Sequence, residues 1–389
     1  MDISLLAAAY IVAARRSALG RIGGLHRARR LEELTAPILL AALADAGLAP
    51  ERVEEIILGN ASAGGNPARL VGLASGLPET ASASTIDRQC GSGLEAILSA
   101  IRMIAGGEAD VIAAGGAESL SMAPWRIAKP KSLYQLPHFI PVASAGADGS
   151  DESQTFEAAE ALAKRLGISR EAQDAYTLRS HLKAEAASEA RRFVGEIVPL
   201  RSKVEEARDQ VAGEADAEAL GRMPPFVPPA GTLTRGNTSA MCDGAAIVAV
   251  VSERVWIELG RPAALRIVAS ASQGVSPEEE AAAPIAAMEK LSRRLDGFDR
   301  AAIGIVEMSE SSAAQAVALA KSLGFDDDVV NPDGGAVVRG HPFGAAGAVL
   351  VSRLFTRMAR QRSNGYPRYG AVAQGAIGGL GLAALFEAV

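Results

Sequence analysis

Only two cysteines, Cys90 and Cys242, occur in 389 residues. That is too few for a disulfide framework, and they lack the paired spacing of a zinc site. No metal is therefore expected, and two free thiols fit a reducing, cytoplasmic compartment. Positive charge is also short: 39 Lys and Arg against 45 Asp and Glu leave a net charge of −6, which gives no electrostatic reason to expect nucleic acid. No run of ~18 uncharged apolar residues occurs, so no membrane span is expected. The start Met1-Asp2-Ile3 lacks the basic segment and apolar run of a signal peptide. Aromatic residues make up only 4%. Hydrophobic residues at 49% and charged residues at 22% exclude a disordered chain. The length suggests two or three domains at ~150 residues each, enough to bury a core without staples.

Against these shortages stand forty glycines, which point to backbone packed closely on backbone. Apolar runs alternate with helical spacing. Strands are predicted at Ala7–Ala14, Val53–Leu58, Ser84–Asp87 and Asp110–Ala114, with helices at Glu32–Ala46 and Gly91–Ala105. This β-α-β rhythm predicts a parallel sheet covered by helices on both faces. Residues 122–160, with four prolines, are expected to be irregular. A charged helix is predicted over Gly167–Ala187, and 204–230 is acidic and then proline-rich. Residues 120–241 therefore read as an insertion on an α/β core. Strands resume at Ala245–Ser252 and Leu265–Ser272. They continue at Ala302–Met308, Gly370–Gln374 and Leu382–Glu387, with helices at Ala313–Leu323 and Gly347–Ala359. A strand leads into Cys90 and a helix in one half, and into Ser309-Glu310-Ser311-Ser312 and a helix in the other. The two junctions are expected to be copies of one unit facing a shared site, since ligands in α/β sheets bind beyond the carboxyl ends of strands.

Cys90 is expected at a helix start, where unpaired N–H groups and the dipole favour a thiolate. Gly91 and Gly93 would leave room for a bulky group to approach the sulfur. By itself, a free cysteine is more often a small buried hydrophobe. His341 lies on a glycine-rich loop, Gly340-His341-Pro342-Phe343-Gly344-Ala345-Ala346-Gly347, and could turn an imidazole toward a thiol. The expectation is that it lowers the Cys90 pKa below the free-thiol value of ~8.5. His26, His138 and His181 read as solvated or structural.

Taken together, Asp87-Arg88-Gln89-Cys90-Gly91-Ser92-Gly93 resembles the nucleophile motif of the thiolase family. Gly340-His341-Pro342 with Gly344, Ala345 and Gly347 resembles its histidine motif. The resemblance runs nearly end to end: Arg16–Gly24, Asn66-Pro67-Ala68-Arg69, Gly115–Ser121, Gly167–Ala184 and Gly236-Asn237-Thr238-Ser239 all match in order. It implies a five-layered α-β-α-β-α fold of two pseudo-repeated core domains with an inserted loop domain. The expected boundaries are 1–119 with 242–270, 120–241, and 271–389. It also implies ping-pong acyl transfer without a tightly bound cofactor, with acyl-CoA and coenzyme A as substrates. Cys90 would be acylated, His341 would be its base, the strand at Gly236–Ser239 would contact coenzyme A with Ser239 on the pantetheine arm, and the chain would form a homodimer or homotetramer.

Two positions depart from the family. Ser309 stands where an Asn usually holds a water in an oxyanion hole; serine keeps a donor and an acceptor. Gly375, or Ala376 with a one-residue shift, stands where a second cysteine takes the α-proton of the second acyl-CoA. Neither carries a proton, and losing such a group costs ~10²–10⁴-fold. Glu310 is a rival base, and Cys242 a distant one. The departures leave three readings open. The first is an acetyl-CoA acetyltransferase or 3-ketoacyl-CoA thiolase. The second is a relative using another acceptor or a decarboxylating donor, and the third a non-catalytic acyl-CoA-binding subunit.

Overall fold

The computed structural model describes residues 8–140, 153–201, 204–210, 216–362 and 366–389. The N-terminal half supplies strands β1 (Ala9–Arg16), β2 (Gly20–Arg21), β3 (Glu55–Gly59), β4 (Ser82–Ile86) and β5 (Val111–Glu118), with helices α1 (Leu31–Ala46), α2 (Pro67–Ala74) and α3 (Ser92–Ala105). The insertion adds the hairpin β6 (Arg126–Ala128) and β7 (His138–Ile140), then α4 (Ser153–Leu166), α5 (Arg170–Glu189) and α6 (Ala217–Gly221). Strand β8 (Cys242–Ser252) and α7 (Glu253–Glu258) return to the core. The C-terminal half follows as β9 (Leu265–Gly274), α8 (Ala283–Arg294), β10 (Ile303–Met308), α9 (Ala313–Leu323), α10 (Ala336–Arg339), α11 (Ala346–Phe355), β11 (Tyr369–Ala376) and β12 (Leu380–Ala388).

The strands form one sheet in the order β10-β11-β12-β9-β1-β8-β5-β3-β4, with β2 beside β8. It is mixed, which corrects the expected parallel sheet. β3 is parallel to β4 and β5, and β10 to β11, but β1, β8, β9 and β12 pair antiparallel. The apolar runs that suggested parallel pairing reflect burial on both faces, as in β5, buried at all eight positions. Within the sheet, the two half-sheets are joined by two paired positions of β1 and β9. Since β9 otherwise runs along β12, the expected domain boundary after residue 270 falls inside a strand of the C-terminal half.

Five layers result. Helices α1 and α2 cover the outer face of one half-sheet and share its core with Ile56, Leu58 and Ile247. Helices α8 and α9 cover the other with Val306, Ala371 and Leu385. Between the half-sheets lie α3 and α11, whose Ile97, Ile101, Val351 and Leu354 join residues of both halves in a single cluster. Glycine makes this middle layer thin enough. A Cβ on Gly93 would stand 2.7 Å from the Gly344 carbonyl oxygen, and one on Gly347 2.6 Å from Leu94. The forty glycines are thus partly a packing device.

Strand order also corrects the expected correspondence between halves. Counting along each half-sheet, β3 matches β10 and β5 matches β11, so α3 is the counterpart of α11 and α2 that of α9. Cys90, before α3, therefore pairs by symmetry with the His341 loop before α11. The Ser309 junction corresponds to the segment after β3. The expected irregular stretch 122–160 holds the β6–β7 hairpin and the start of α4; residues 141–152, part of the acidic stretch at 211–215, and Ala7 of the first expected strand lie outside the described residues. Residues 236–239, expected as a strand, instead follow a turn at 235–237 held by the Asn237 side chain, whose Oδ1 accepts the Thr234 N–H at 2.8 Å, with Thr238 bridged to Ser312.

Candidate active site

The sequence around Cys90 forces a tight entry into α3. Gln89 has φ +53°, a left-handed conformation costing about 1–2 kcal/mol for a residue with a Cβ. It turns the chain so that Cys90 stands two residues ahead of the first helical residue, Ser92, with Gly91 as the N-cap. The Ser92 hydroxyl donates to the Gln89 carbonyl at 2.6 Å and accepts the Arg88 N–H at 2.8 Å, closing the turn. The sequence expectation that the two glycines make room for a substrate is corrected. A Cβ on Gly91 would meet Leu382 at 2.8 Å, so their space is already filled by protein.

His341 is placed by backbone pairing. Its N–H donates to the Ala240 carbonyl at 2.8 Å, and its own carbonyl accepts the Cys242 N–H at 3.1 Å. Gly340 must be glycine here, with φ +95° and a Cβ position 2.9 Å from the Cys242 sulfur. Cys242 is therefore a packing residue behind the histidine loop. The imidazole is buried, and its Nδ1 has no hydrogen-bond partner among the described residues.

Cys90 and His341 line one cavity of about 40 Å³ together with Thr155, Glu280, Ala281, Ser309, Ser311, Gln315, Gly375, Ala376 and Ile377. Both strand-to-helix junctions thus face one site, despite the revised correspondence between halves. Room for a water needs ~10–15 Å³, so this space takes a group of a few atoms. The Ser309 hydroxyl oxygen accepts the Gly375 N–H at 3.2 Å, tying the family's Asn position to the glycine turn. Gly375 has an ordinary φ; a Cβ there would stand 3.3 Å from Gln315 Nε2 and 3.4 Å from Pro284. Ser239 is half-buried, with its N–H on the carbonyl of Ser311 at 3.1 Å, two residues beyond Ser309 in the same strand-to-helix junction.

Glu310 does not join this group. It is fully buried and accepts from the Tyr176 hydroxyl at 2.5 Å, Asn331 Nδ2 at 2.5 Å and the Val337 N–H at 3.0 Å. Its two oxygens are engaged in fastening α5 and α10 to the junction. Glu118, absent from the sequence reading as a site residue, holds the other side. It accepts the Ala61 N–H at 2.7 Å and the Gly344 N–H at 3.3 Å, joining the segment after β3 to the histidine loop. Burial pushes its carboxyl up to about 7. The acidic residue in Gly-Gly-Ala-Glu-Ser was legible as part of a matching segment, but its partners are remote in sequence.

The thiolase N-terminal domain model matches residues 9–254 and the thiolase C-terminal domain model residues 261–388. The chain belongs to the thiolase family. An acetyl-CoA acetyltransferase of Escherichia coli K12 is 38% identical over 370 residues, covering 91% of this chain and 94% of its own length. One from Thiocystis violacea is 37% identical over 371 residues, covering 91% and 94%. Among solved structures, the Bacillus anthracis acetyl-CoA acetyltransferase superposes with a TM-score of 0.91 at 32% identity and covers 99% of both chains. Human mitochondrial 3-ketoacyl-CoA thiolase in complex with CoA gives 0.88 at 29% identity, also covering 99% of both. The chain is thus a thiolase-type acyltransferase. As in the sequence reading, its fold is that of the family.

The electrostatics of the resting thiolase site differ from the sequence expectation. Burial pushes the Cys90 thiol up to about 12, against an opposing pull from the Ile377 N–H. Burial likewise lowers the His341 imidazole to about 4. At neutral pH the pair is therefore thiol and neutral imidazole, not an ion pair. The dipole and the imidazole do not outweigh desolvation in a site this closed. Alkylation of Cys90 by iodoacetamide should accordingly climb continuously from pH 7 to 9.5. A plateau beginning near neutrality in that rate profile would show an ion pair instead.

Proposed function

We propose that this thiolase transfers an acyl group from a coenzyme A thioester through a covalent thioester on Cys90. The observation that carries the reading is the convergence of Cys90 and His341 on one small cavity. Cys90 attacks the thioester carbonyl carbon while His341 takes the thiol proton; the coenzyme A sulfur leaves and receives that proton. Because both groups are neutral at rest, proton transfer accompanies sulfur–carbon bond formation. Preorganised N–H groups of the Ile377 turn would favour the charge that develops at this end of the cavity. Ser239, on the insertion side of Ser311, is assigned to the pantetheine arm, and no tightly bound cofactor is called for.

Incubation with acetyl-CoA followed by intact-protein mass spectrometry should show one added acetyl group, mapped to Cys90. Unmodified protein would overturn the reading and favour a non-catalytic subunit. A second enzymatic reading has its own support. Gly375 and Ala376, the candidates for the family's second cysteine position, line the cavity without an ionisable group. A decarboxylating donor would supply a carbanion without proton abstraction.

A homodimer or homotetramer is also proposed. Trp125, Leu133, Tyr134, Leu136 and Phe139 around the β6–β7 hairpin are 66–99% exposed, an apolar surface unusual for an isolated chain. β4 ends the sheet as an edge strand. Light scattering at micromolar concentration should give a multiple of the chain mass; a monomer would reject this. A cytoplasmic location is the matching proposal, supported by two free buried thiols. Among the described residues no helix is long and apolar enough to cross a membrane.

A further inference from the structure

Among the described residues the cavity is lined by one carboxylate, and it is not Glu310. Glu280 closes a short 3-10 turn, Pro277–Ala282, that leads into α8. It is 7% exposed and lines the same space as Cys90, His341 and Gly375. Its Oε2 accepts the Gly378 N–H at 3.0 Å, which anchors it to the glycine turn three residues beyond Gly375. The Thr155 hydroxyl, on α4 of the insertion, is its second partner. Beside it, Gln315 Nε2 donates to the Ala281 carbonyl at 3.1 Å and stands near the place a Gly375 side chain would occupy. Among the described residues the ionisable groups lining the cavity are thus Cys90, His341 and Glu280, and the first two are used in forming the thioester.

We infer that Glu280 is the acid–base residue of the second half-reaction, in the role that a side chain at position 375 cannot fill. The inference rests on the Cys90 thioester reading. In condensation the Glu280 carboxylate removes a C2 proton from the second acetyl-CoA. The electron pair of that C–H bond forms the new C–C bond to the carbonyl carbon of acetyl-Cys90. The carbon–sulfur bond of the thioester breaks and Cys90 leaves as a thiolate; the proton that Glu280 took passes to it by way of His341, which restores the Glu280 carboxylate and the Cys90 thiol. In thiolysis the Cys90 sulfur attacks the 3-keto carbon, the C2–C3 bond breaks, and Glu280 in its acid form returns a proton to C2 of the departing acetyl-CoA. Both directions balance without a further reactant. Burial raises the Glu280 carboxyl above its ordinary range, with Thr155 and the Gly378 N–H pulling it back. That moves it toward the neutral-pH working range of an acid–base catalyst.

The test compares three readouts in wild-type protein, Glu280→Gln and Glu280→Asp. They are acetylation of Cys90 by labelled acetyl-CoA, thiolysis of acetoacetyl-CoA, and deuterium exchange at C2 of acetyl-CoA in D₂O. Glu280→Gln keeps an acceptor for the Gly378 N–H. It should still acetylate Cys90 while losing ~10²–10⁴-fold in thiolysis and exchange. Glu280→Asp retains the charge but shortens its reach, and should lose at least ~10-fold in the same two readouts. Adding Gly375→Cys to Glu280→Gln should recover part of the loss. Thiolysis by Glu280→Gln at the wild-type rate would overturn the inference. So would wild-type protein that acetylates Cys90 but neither thiolyses nor exchanges; both results leave the Cys90 reading standing. Failure of wild-type protein to acetylate at Cys90 would overturn both.

Discussion

Replacing Cys90 by Ala is expected to abolish acetyl-enzyme formation and to reduce acyl transfer by ~10⁴–10⁶-fold, the scale seen when an enzyme loses its nucleophile. The loss should be complete because the remaining thiol cannot substitute. Cys242 is 3% exposed, lies behind Gly340 and outside the Cys90 cavity, and has its pKa pushed up by burial and by Asp243. The fold should tolerate the change. Cys90 packs only in a small cluster with Ala61, Phe343 and Ala376, separate from the three main cores. Peptide mapping after labelled acetyl-CoA is the measurement; label retained in Cys90→Ala, or found on Cys242, would sink the assignment.

The second large effect should be structural. Arg16, fully buried, bonds Glu196 at 2.6 Å and Asp209 at 2.6 and 3.0 Å, while Asp209 also accepts from Arg339 at 3.0 Å. Arg353 joins Glu196 to Asp333, and Arg339 and Arg353 lie 4.1 and 4.5 Å from the centre of the Phe193 ring. This network ties β1, the insertion and the start of the histidine loop together. Asp209→Asn leaves Arg16 and Arg339 short of a counter-charge in the interior, at a cost of about 3–5 kcal/mol. Denaturant unfolding should show it; a change below about 1 kcal/mol would mean the network is not coupled to folding.

The pH dependence of that network has a definite sign. The neighbouring arginines hold Asp209 well below the carboxylate range and lower Asp333, despite their burial. Their contribution is therefore full above the unfolded value of ~3.9 and is lost as pH falls below it. Glu307 runs the other way. Burial pushes it up to about 8, so its contribution fades as pH rises from ~4.3 toward 8. Asp209→Asn should flatten the acid limb of the stability curve and leave the alkaline limb in place.

The residue types at Cys90 and His341, their glycine-rich surroundings and the alternation of strands with helices were legible along the chain, because short-range patterning and turn chemistry are local properties. The tertiary structure decided what depends on remote partners. Sheet direction was hidden because burial on both faces gives the same apolar runs in parallel and antiparallel strands. Gly91 and Gly93 read as space for a substrate until Leu382 and the Gly344 carbonyl, some 250 to 290 residues away, were seen to fill it. The charge state of Cys90 followed from desolvation by the whole cavity, which a helix-start argument cannot include. Glu280 sits in an acidic triplet, Glu278-Glu279-Glu280, that reads as a solvated turn. Only the packing of α4 and the Gly378 turn against it selects one of the three for the interior.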